Sequence, residues 1–322
     1  MRDFCIIGSG IAGSTIANLL SKKHSVEVFD KARGLSGRAS NRRYKKSLSF
    51  DHGLQYISPK NKEFKRFILQ LKNLKIVKHW NGKHLNFNSN IKSKNIIKYI
   101  GKKANTDICK YLLKNIKTNL LSEIVSAKFK YNYWSIKLKN NKELNFKKII
   151  LAIPYPQAKK LVKKYLDNKT FKLNINMDPN ITVMAVFKNT KNLNTSSISF
   201  EDKILGWAGN ENSKLRFKSN LQLWTLQSNV RWAKKNINTY KLKKKEIAYK
   251  IINQFCNLLD LKIKQVIFFS IHGWKYSFNS KSTKVKSYWN NKYNLGLCGD
   301  WFIGPKAEHA WLSASNLYKK IK

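Results

Sequence analysis

This sequence predicts an α/β fold: a parallel-sheet domain opening with a β-α-β unit, interleaved with a mixed, strand-rich second domain. Three observations predict it. The apolar run Phe4 to Ile7 leads directly into Gly8, Gly10 and Gly13 at G-x-G-x-x-G spacing. Apolar residues at helical spacing follow, and then "SVEVFD", Ser25 to Asp30, reads as a second strand. Further on strands predominate, and no repeat or low-complexity linker sets them apart from the opening unit, which points to interleaved domains.

Taken in order, Phe4 to Ile7 has the continuous apolar character of a buried parallel strand. Ile11, Ala12, Ile16, Ala17, Leu19 and Leu20 recur as one helical face that ends near Ser21-Lys22. Lys62 to Leu74 reads as a helix, and Ile91 to Leu121 as mixed loop and helix. Strands are expected at Glu123 to Tyr131, Trp134 to Leu138 and Leu144 to Ala152, with a hairpin at Asn140-Asn141. Pro154 and Pro156 in "LAIPYPQA" are expected to stop regular structure there. From Lys159 to Tyr288 the chain is strand-rich, with helices near Val162 and at Lys243 to Leu259. Gly296 to Phe302 reads as a strand turning sharply, and Ala307 to Ile321 as the final helix. The first domain is assigned residues 1–75, 115–160 and 289–322, and the second residues 76–114 and 161–288.

The 322 residues carry 64 Lys and Arg against 17 Asp and Glu, a formal charge of +47. The excess is mostly Lys, spread along the whole chain beside abundant Asn, Ile, Phe and Tyr. A/T-rich coding explains that pattern better than nucleic-acid binding, which prefers Arg and a localised basic footprint. A diffuse positive field still attracts anionic small molecules. Cys5, Cys109, Cys256 and Cys298 form no C-x-x-C, and the six histidines form no H-E-x-x-H, so neither a metal nor a disulfide framework is expected. No apolar run approaches the roughly 18 residues of a membrane span. The glycines interrupt the N-terminal apolar stretch, so it reads as mature fold and not as a signal peptide; a cytoplasmic protein is expected.

The glycines carry the first chemistry. Gly8 permits a tight turn, Gly10 lets backbone approach a pyrophosphate, and Gly13 lets helix and strand pack closely. Ile11 and Ala12 open the helix, whose free N–H groups and dipole favour a diphosphate. Asp30, closing the second strand, is placed to accept hydrogen bonds from an adenosine ribose. The alternative is a glycine turn that only packs a helix on a sheet.

Further segments carry a family resemblance. "KARGLSGRAS", Lys31 to Ser40, resembles the R-x-G-G-R-x-x-[ST] segment of amine-oxidase-like flavoproteins, with Ser36 at the first of the paired glycines. "FDHGLQYIS", "LAIPYPQA", "LWTLQSNVRWAKKNI", "HGWKYSF" and "GLCGDWFIGPKAEHAWLSASNL" are similar, in order, to segments of bacterial renalase-like proteins. Gln227, Gly273, Lys275, His309 and Ala314 depart from those patterns.

The resemblance implies a fold of the p-hydroxybenzoate-hydroxylase/amine-oxidase type binding FAD non-covalently. It implies cofactor contacts from Lys31, Arg33, Gly37, Arg38, Gly53, Gln55, Gly299, Asp300, Glu308, His309 and Ala310, with Arg38 near the pyrophosphate and Asp300 on the ribityl chain. The helix beginning near Glu308 or His309 would aim its N–H groups at the flavin N1/C2 edge. Asp300 otherwise reads as a turn carboxylate. Gln55, Tyr56, Trp224, Gln227, Trp274 and Tyr276 are implied as the substrate face; Trp224, Trp274 and Tyr276 read equally well as core aromatics. Asp51 reads as a structural turn partner.

The activity implied is oxidation of isomeric dihydronicotinamide dinucleotides by hydride transfer, with oxygen as final acceptor. An amine oxidase of the same superfamily, or a basic polyanion-binding protein with a vestigial flavin fold, are the alternatives.

Overall fold

A computed structural model describes all residues except 46, 88–95, 172, 174, 191–192, 280 and 322. The opening unit forms as its apolar pattern requires. Strand β1 (Arg2–Ile7), helix α1 (Ile11–Leu20) and strand β2 (Val26–Phe29) build the β-α-β start of a parallel sheet. Phe4, Ile6, Ile16, Ala17 and Val28 are buried together beneath α1. A side chain at Gly13 would collide with the Gly8 carbonyl oxygen, so only glycine lets α1 sit this close to the turn.

The first sheet has eight strands. Leu295–Leu297, Glu143–Leu151, β1, β2 and Lys117–Asn119 run parallel in that spatial order, and Tyr288–Asn290 adds an antiparallel edge. The hairpin Ile124–Lys130 and Tyr133–Leu138 extends antiparallel from Glu143–Leu151, with Asn141 at positive φ in the turn that joins them to the sheet. The helix Ala307–Ile321 returns across α1, so the last segment of the chain packs on its first.

The second sheet has six strands: Val266–Phe278, Asp178–Phe187, Gln222–Ser228, Leu205–Asn210, Ser197–Phe200 and His84–Phe87. One face is covered by helix Lys244–Leu259, which buries Ile247, Ile251, Ile252 and Phe255 at helical spacing against Ile181, Val183, Trp224 and Leu226. The other face looks toward the first sheet and carries the polar and aromatic residues Asn180, Gln227, His272 and Trp274.

Two expectations need correction. The strand Glu143–Leu151 does end before Pro154 as the chain leaves the sheet, but regular structure resumes at once: helix Tyr155–Val162 starts there with Pro at the head of its first turn, where the missing N–H costs nothing. Residues 76–114 are divided between the sheets, because Asp107–Leu112 packs against α1 while His84–Phe87 joins the second sheet. Of the segment expected to mix loop and helix, residues 91–95 lie outside the described residues. All four cysteines are buried and unpaired. Among the described residues no helix is long and apolar enough to cross a membrane.

Candidate functional site

A cavity of about 2600 Å³ runs between the sheets, from the glycine turn to the polar face of the second sheet. A single small-ligand pocket occupies roughly 300–1,000 Å³, so this one has room for a dinucleotide and a second molecule together.

At one end lie Gly8, Gly10, Ile11 and Ala12. Helix α1 has no side-chain cap and no acidic residue in its first turn, leaving its N-terminal N–H groups and dipole facing the cavity. Gly13 is absent from the wall and has the packing role alone. Gly37, at φ +50°, crosses so near Gly10 that a Cβ would touch its Cα at 3.4 Å. Ser36, buried, takes φ +89°, the backbone state for which a glycine is usual, and donates through Oγ to Thr106 O at 3.3 Å.

Asp30 is fixed by three bonds: from Ser9 N at 2.8 Å and Ser9 Oγ at 2.6 Å to Oδ2, and from Ala32 N at 2.9 Å to Oδ1. A carboxylate has about four acceptor positions, so one remains for a ribose hydroxyl. Lys31 and Arg33 are exposed on the same rim.

Midway, Arg38 and Asp300 meet. Arg38 Nη1 and Nη2 donate to the two Asp300 oxygens at 2.9 and 2.5 Å, and Nη1 also reaches Ser277 O at 2.5 Å. Each was expected to face the cofactor alone; they reach the wall as a pair beside Gly299.

The start of helix Ala307–Ile321 also departs from expectation. His309 is absent from the cavity wall: its Nδ1 is buried over Gly304 with no hydrogen-bond partner. The N–H groups of His309 and Ala310 donate to Lys306 O at 3.0 and 3.2 Å, which leaves Ala307 and Glu308 as the N–H groups nearest the cavity. Glu308 turns its carboxylate to the N–H groups of Lys60 and Asn61, at 2.6 and 3.2 Å. Ala310 lines the cavity as expected.

At the far end the second sheet supplies Trp274, Tyr276 and Gln227. Side chains alternate across a strand, so His272, Trp274 and Tyr276 share one face. His272 stands opposite Thr182, which stands opposite Gln227, which stands opposite Trp207: one row across four strands.

The same alternation removes Trp224. It lies an odd number of residues from Gln227, points to the opposite face, and packs on Phe255 at 5.1 Å in the core. Gln227 Nε2 donates to Gly53 O at 3.0 Å and Trp274 Nε1 to His52 O at 2.9 Å, docking the "DHG" turn on the sheet. Gly53 is needed there, since a Cβ would strike the Arg38 carbonyl. Tyr56 lines the cavity with Lys98 Nζ 5.2 Å from its ring centre. Gln55 also lines it, but its amide is held by the Asp51 carbonyl and Lys214 Nζ, so it is not a free substrate donor.

Behind Gln55 is a buried ion network. Lys214 Nζ lies 2.9 Å from Asp51 Oδ2 and Glu211 Oε2, and Arg216 also bonds Asp51. Burial opposes ionisation of Asp51, but Lys214 and Arg216 outweigh it and hold the carboxyl below its ordinary range. For Glu211 burial prevails over Lys214 and the pKa rises.

The sequence reading omitted His52, His272, Arg42 and Trp207, all on the wall. For His272 a signal existed: it precedes Trp274 by two residues on a strand. Arg42 and His52 become neighbours of that row only through the pairing of Asn41–Arg43 with Ser49–Asp51.

Comparison with known proteins agrees with the fold. The family of NAD(P)-binding Rossmann-like domains matches residues 6–71. A protein provisionally named protoporphyrinogen oxidase, from Exiguobacterium sp. 255-15, superposes with a TM-score of 0.75 at 8% identity, covering 99% of this chain and 98% of its own. Wild-type putrescine oxidase bound to putrescine gives a TM-score of 0.73 at 10% identity, covering 99% and 98%. An oxidoreductase from Methanosarcina mazei gives 0.70 at 12%, covering 98% and 100%. At such identities the likeness is one of fold alone: a mixed α/β architecture that opens with a Rossmann-like dinucleotide-binding unit.

Proposed function

We infer that the protein is an FAD-dependent oxidoreductase that oxidises isomeric dihydronicotinamide dinucleotides, in the manner of renalase-like proteins. Support for FAD comes from the uncapped α1 N-terminus, the close approach of Gly10 and Gly37, the remaining acceptor position of Asp30 and a cavity with volume enough for a dinucleotide. The first sheet is then the cofactor half and the second the substrate half. FAD, when bound, supplies the hydride acceptor and returns the electrons to oxygen.

This chain's own residues do the rest. Asp30 orients the ribose, the α1 N-terminus neutralises the pyrophosphate, and the Arg38–Asp300 pair fixes the wall between the halves. Trp274, Tyr276 and Trp207 wall a flat substrate and exclude water, and Gln227, with Oε1 and one N–H still available, orients it.

One observation carries the substrate class. The described cavity wall bears fourteen Lys and Arg side chains and five carboxylates. Four of the carboxylates are bound already: Asp30 by Ser9 and Ala32, Asp107 by the N–H groups of Lys103 and Ala104, Asp300 by Arg38, Glu308 by the 60–61 turn. The fifth, Glu123, adjoins Ser122, whose N–H bonds the Asp30 carbonyl at the nucleotide end. An ammonium substrate therefore finds no counter-ion near Trp274, whereas an anionic dinucleotide finds many.

The test is the visible spectrum of purified protein, then anaerobic addition of borohydride-reduced NAD+, which contains the isomeric dihydronicotinamides. A yellow protein that bleaches supports the reading. Bleaching by putrescine instead would select an amine oxidase. A colourless protein that resists reconstitution with FAD overturns both.

A further inference from the structure

Two imidazoles on the cavity wall flank Trp274. His272 belongs to the polar face of the second sheet, and His52 lies in the turn that docks on it. Their ring centres are 5.2 Å apart; His52 stacks on Trp274 at 5.3 Å, and His272 lies 4.1 Å from Trp274. Ser40 Oγ is 3.3 Å from His52 Nε2, while the buried His52 Nδ1 has no hydrogen-bond partner.

Arg42 stands beside this cluster. It is half-buried, and Nη1 is anchored by Ser270 Oγ at 2.5 Å, two residues before His272 on the same strand. Among the described residues no carboxylate pairs with it. The Asp51 carboxylate next in the chain to His52 is already bound by Lys214 and Arg216. Burial first, and Arg42 with it, pushes the His272 pKa down to about 4; burial, His272 and Arg42 push that of His52 down to about 3. Both rings are thus neutral near pH 7, and the Arg42 charge on the wall is not shared or cancelled. A guanidinium with one donor fixed and four free, next to neutral ring N–H groups, is a receptor for a planar pair of anionic oxygens.

We propose that Arg42, with His272 and His52 behind it, is the subsite for an oxyanion of the substrate, a phosphate of the dinucleotide whose flat ring packs on Trp274. The proposal rests on the reading of this end of the cavity as the substrate side and deepens it by naming the groups that hold the substrate's charge. It predicts selection by charge that a general excess of lysine does not produce, because one side chain controls it.

The experiment is calorimetric titration of the FAD-saturated protein with four ring compounds: phenyl phosphate, benzoate, benzamide and benzylamine. Phenyl phosphate is expected to bind tenfold or more tighter than benzamide, the analogue of the neutral ring carboxamide, with benzylamine weakest. Phenyl phosphate tighter than benzoate supports the phosphate assignment, and the reverse order overturns it. Arg42→Gln should bring both anions to the benzamide level while benzamide itself changes less than twofold. Ser270→Ala, which removes only the anchor, should weaken the anions several-fold and serves if Arg42→Gln does not fold. Anions no tighter than benzamide, or a preference that survives these substitutions, overturn the proposal. Bleaching by dihydronicotinamides without anion preference would remove the subsite and leave the proposed function standing. Anion preference without bleaching would do the reverse.

Discussion

The guanidinium of Arg38 and the carboxylate of Asp300 join two segments 262 residues apart by two parallel hydrogen bonds. Asp300 lies at the end of the first sheet, and the third bond from Arg38, to Ser277 O, reaches the second. The pair is therefore a clasp between the halves as well as part of the cavity wall. Breaking a buried pair from one side leaves a charge without compensation, which costs about 3–5 kcal/mol; the partial exposure of Arg38 puts this one at or below the low end. Arg38→Ala and Asp300→Ala are expected to destabilise singly and to be less than additive together, by about 1 kcal/mol or more in urea unfolding. Additive losses would show that the two residues act separately.

Gly13 and Gly34 offer a matched comparison. A Cβ at Gly13 meets the Gly8 carbonyl, which is backbone and cannot yield without moving β1, whereas a Cβ at Gly34 meets nothing within 4 Å. Gly13→Ala should lower stability by about 2 kcal/mol or more through overpacking. Gly34→Ala should stay within about 0.5 kcal/mol of the parent. Thermal melts of the two variants decide, and equal melts would mean that α1 can shift to accept the methyl group.

How far the site was legible follows from what each signal measures. The nucleotide end was readable because glycine spacing, a helix start and Asp30 are local in the chain. The substrate end depends on strand alternation and on which strands pair. Trp224 and Gln227 cannot face the same way on one regular strand, and that much was open to inspection; the contact of Trp224 with Phe255 was not. His309 was misplaced because the backbone bonds to Lys306 O shift the open first turn to Ala307 and Glu308. The network around Lys214 draws on residues 51, 55, 211 and 216, whose proximity only the tertiary fold creates. A prediction separates the two tryptophans. Trp224→Ala should cost about 3–5 kcal/mol of stability. Trp274→Ala should alter substrate binding with a smaller loss. Substrate affinity that changes more for Trp224 than for Trp274 would reverse the assignment.

Lys214 is wholly buried, with its ammonium held by Asp51, Glu211 and Gln55. Lys214→Met keeps much of the volume and removes the charge, leaving Asp51 with Arg216, Asn41 and the Asn105 N–H, and Glu211 with Thr225. A loss of about 3–5 kcal/mol is expected. Because burial already favours the neutral form of Glu211, Lys214→Met combined with Glu211→Gln should recover part of that loss. If the double variant is no better than the single one, Asp51 is the partner that matters.

His52 makes stability depend on pH in a defined window. Its folded pKa is lowered to about 3 by burial and then by His272 and Arg42, whereas an exposed imidazole titrates near 6.5. Between these values the unfolded chain binds the extra proton, so stability rises with pH through the window and falls as acid is added. At pH 5 the difference amounts to about 2 kcal/mol from this side chain, and His272, lowered to about 4, adds in the same direction. Urea midpoints measured from pH 7.5 to 5 should therefore decline. His52→Gln, which keeps a neutral polar side chain throughout, should flatten that decline by roughly the His52 share. A decline of unchanged slope in the variant would place the acid sensitivity in other groups and mean that His52 is solvated enough to titrate normally.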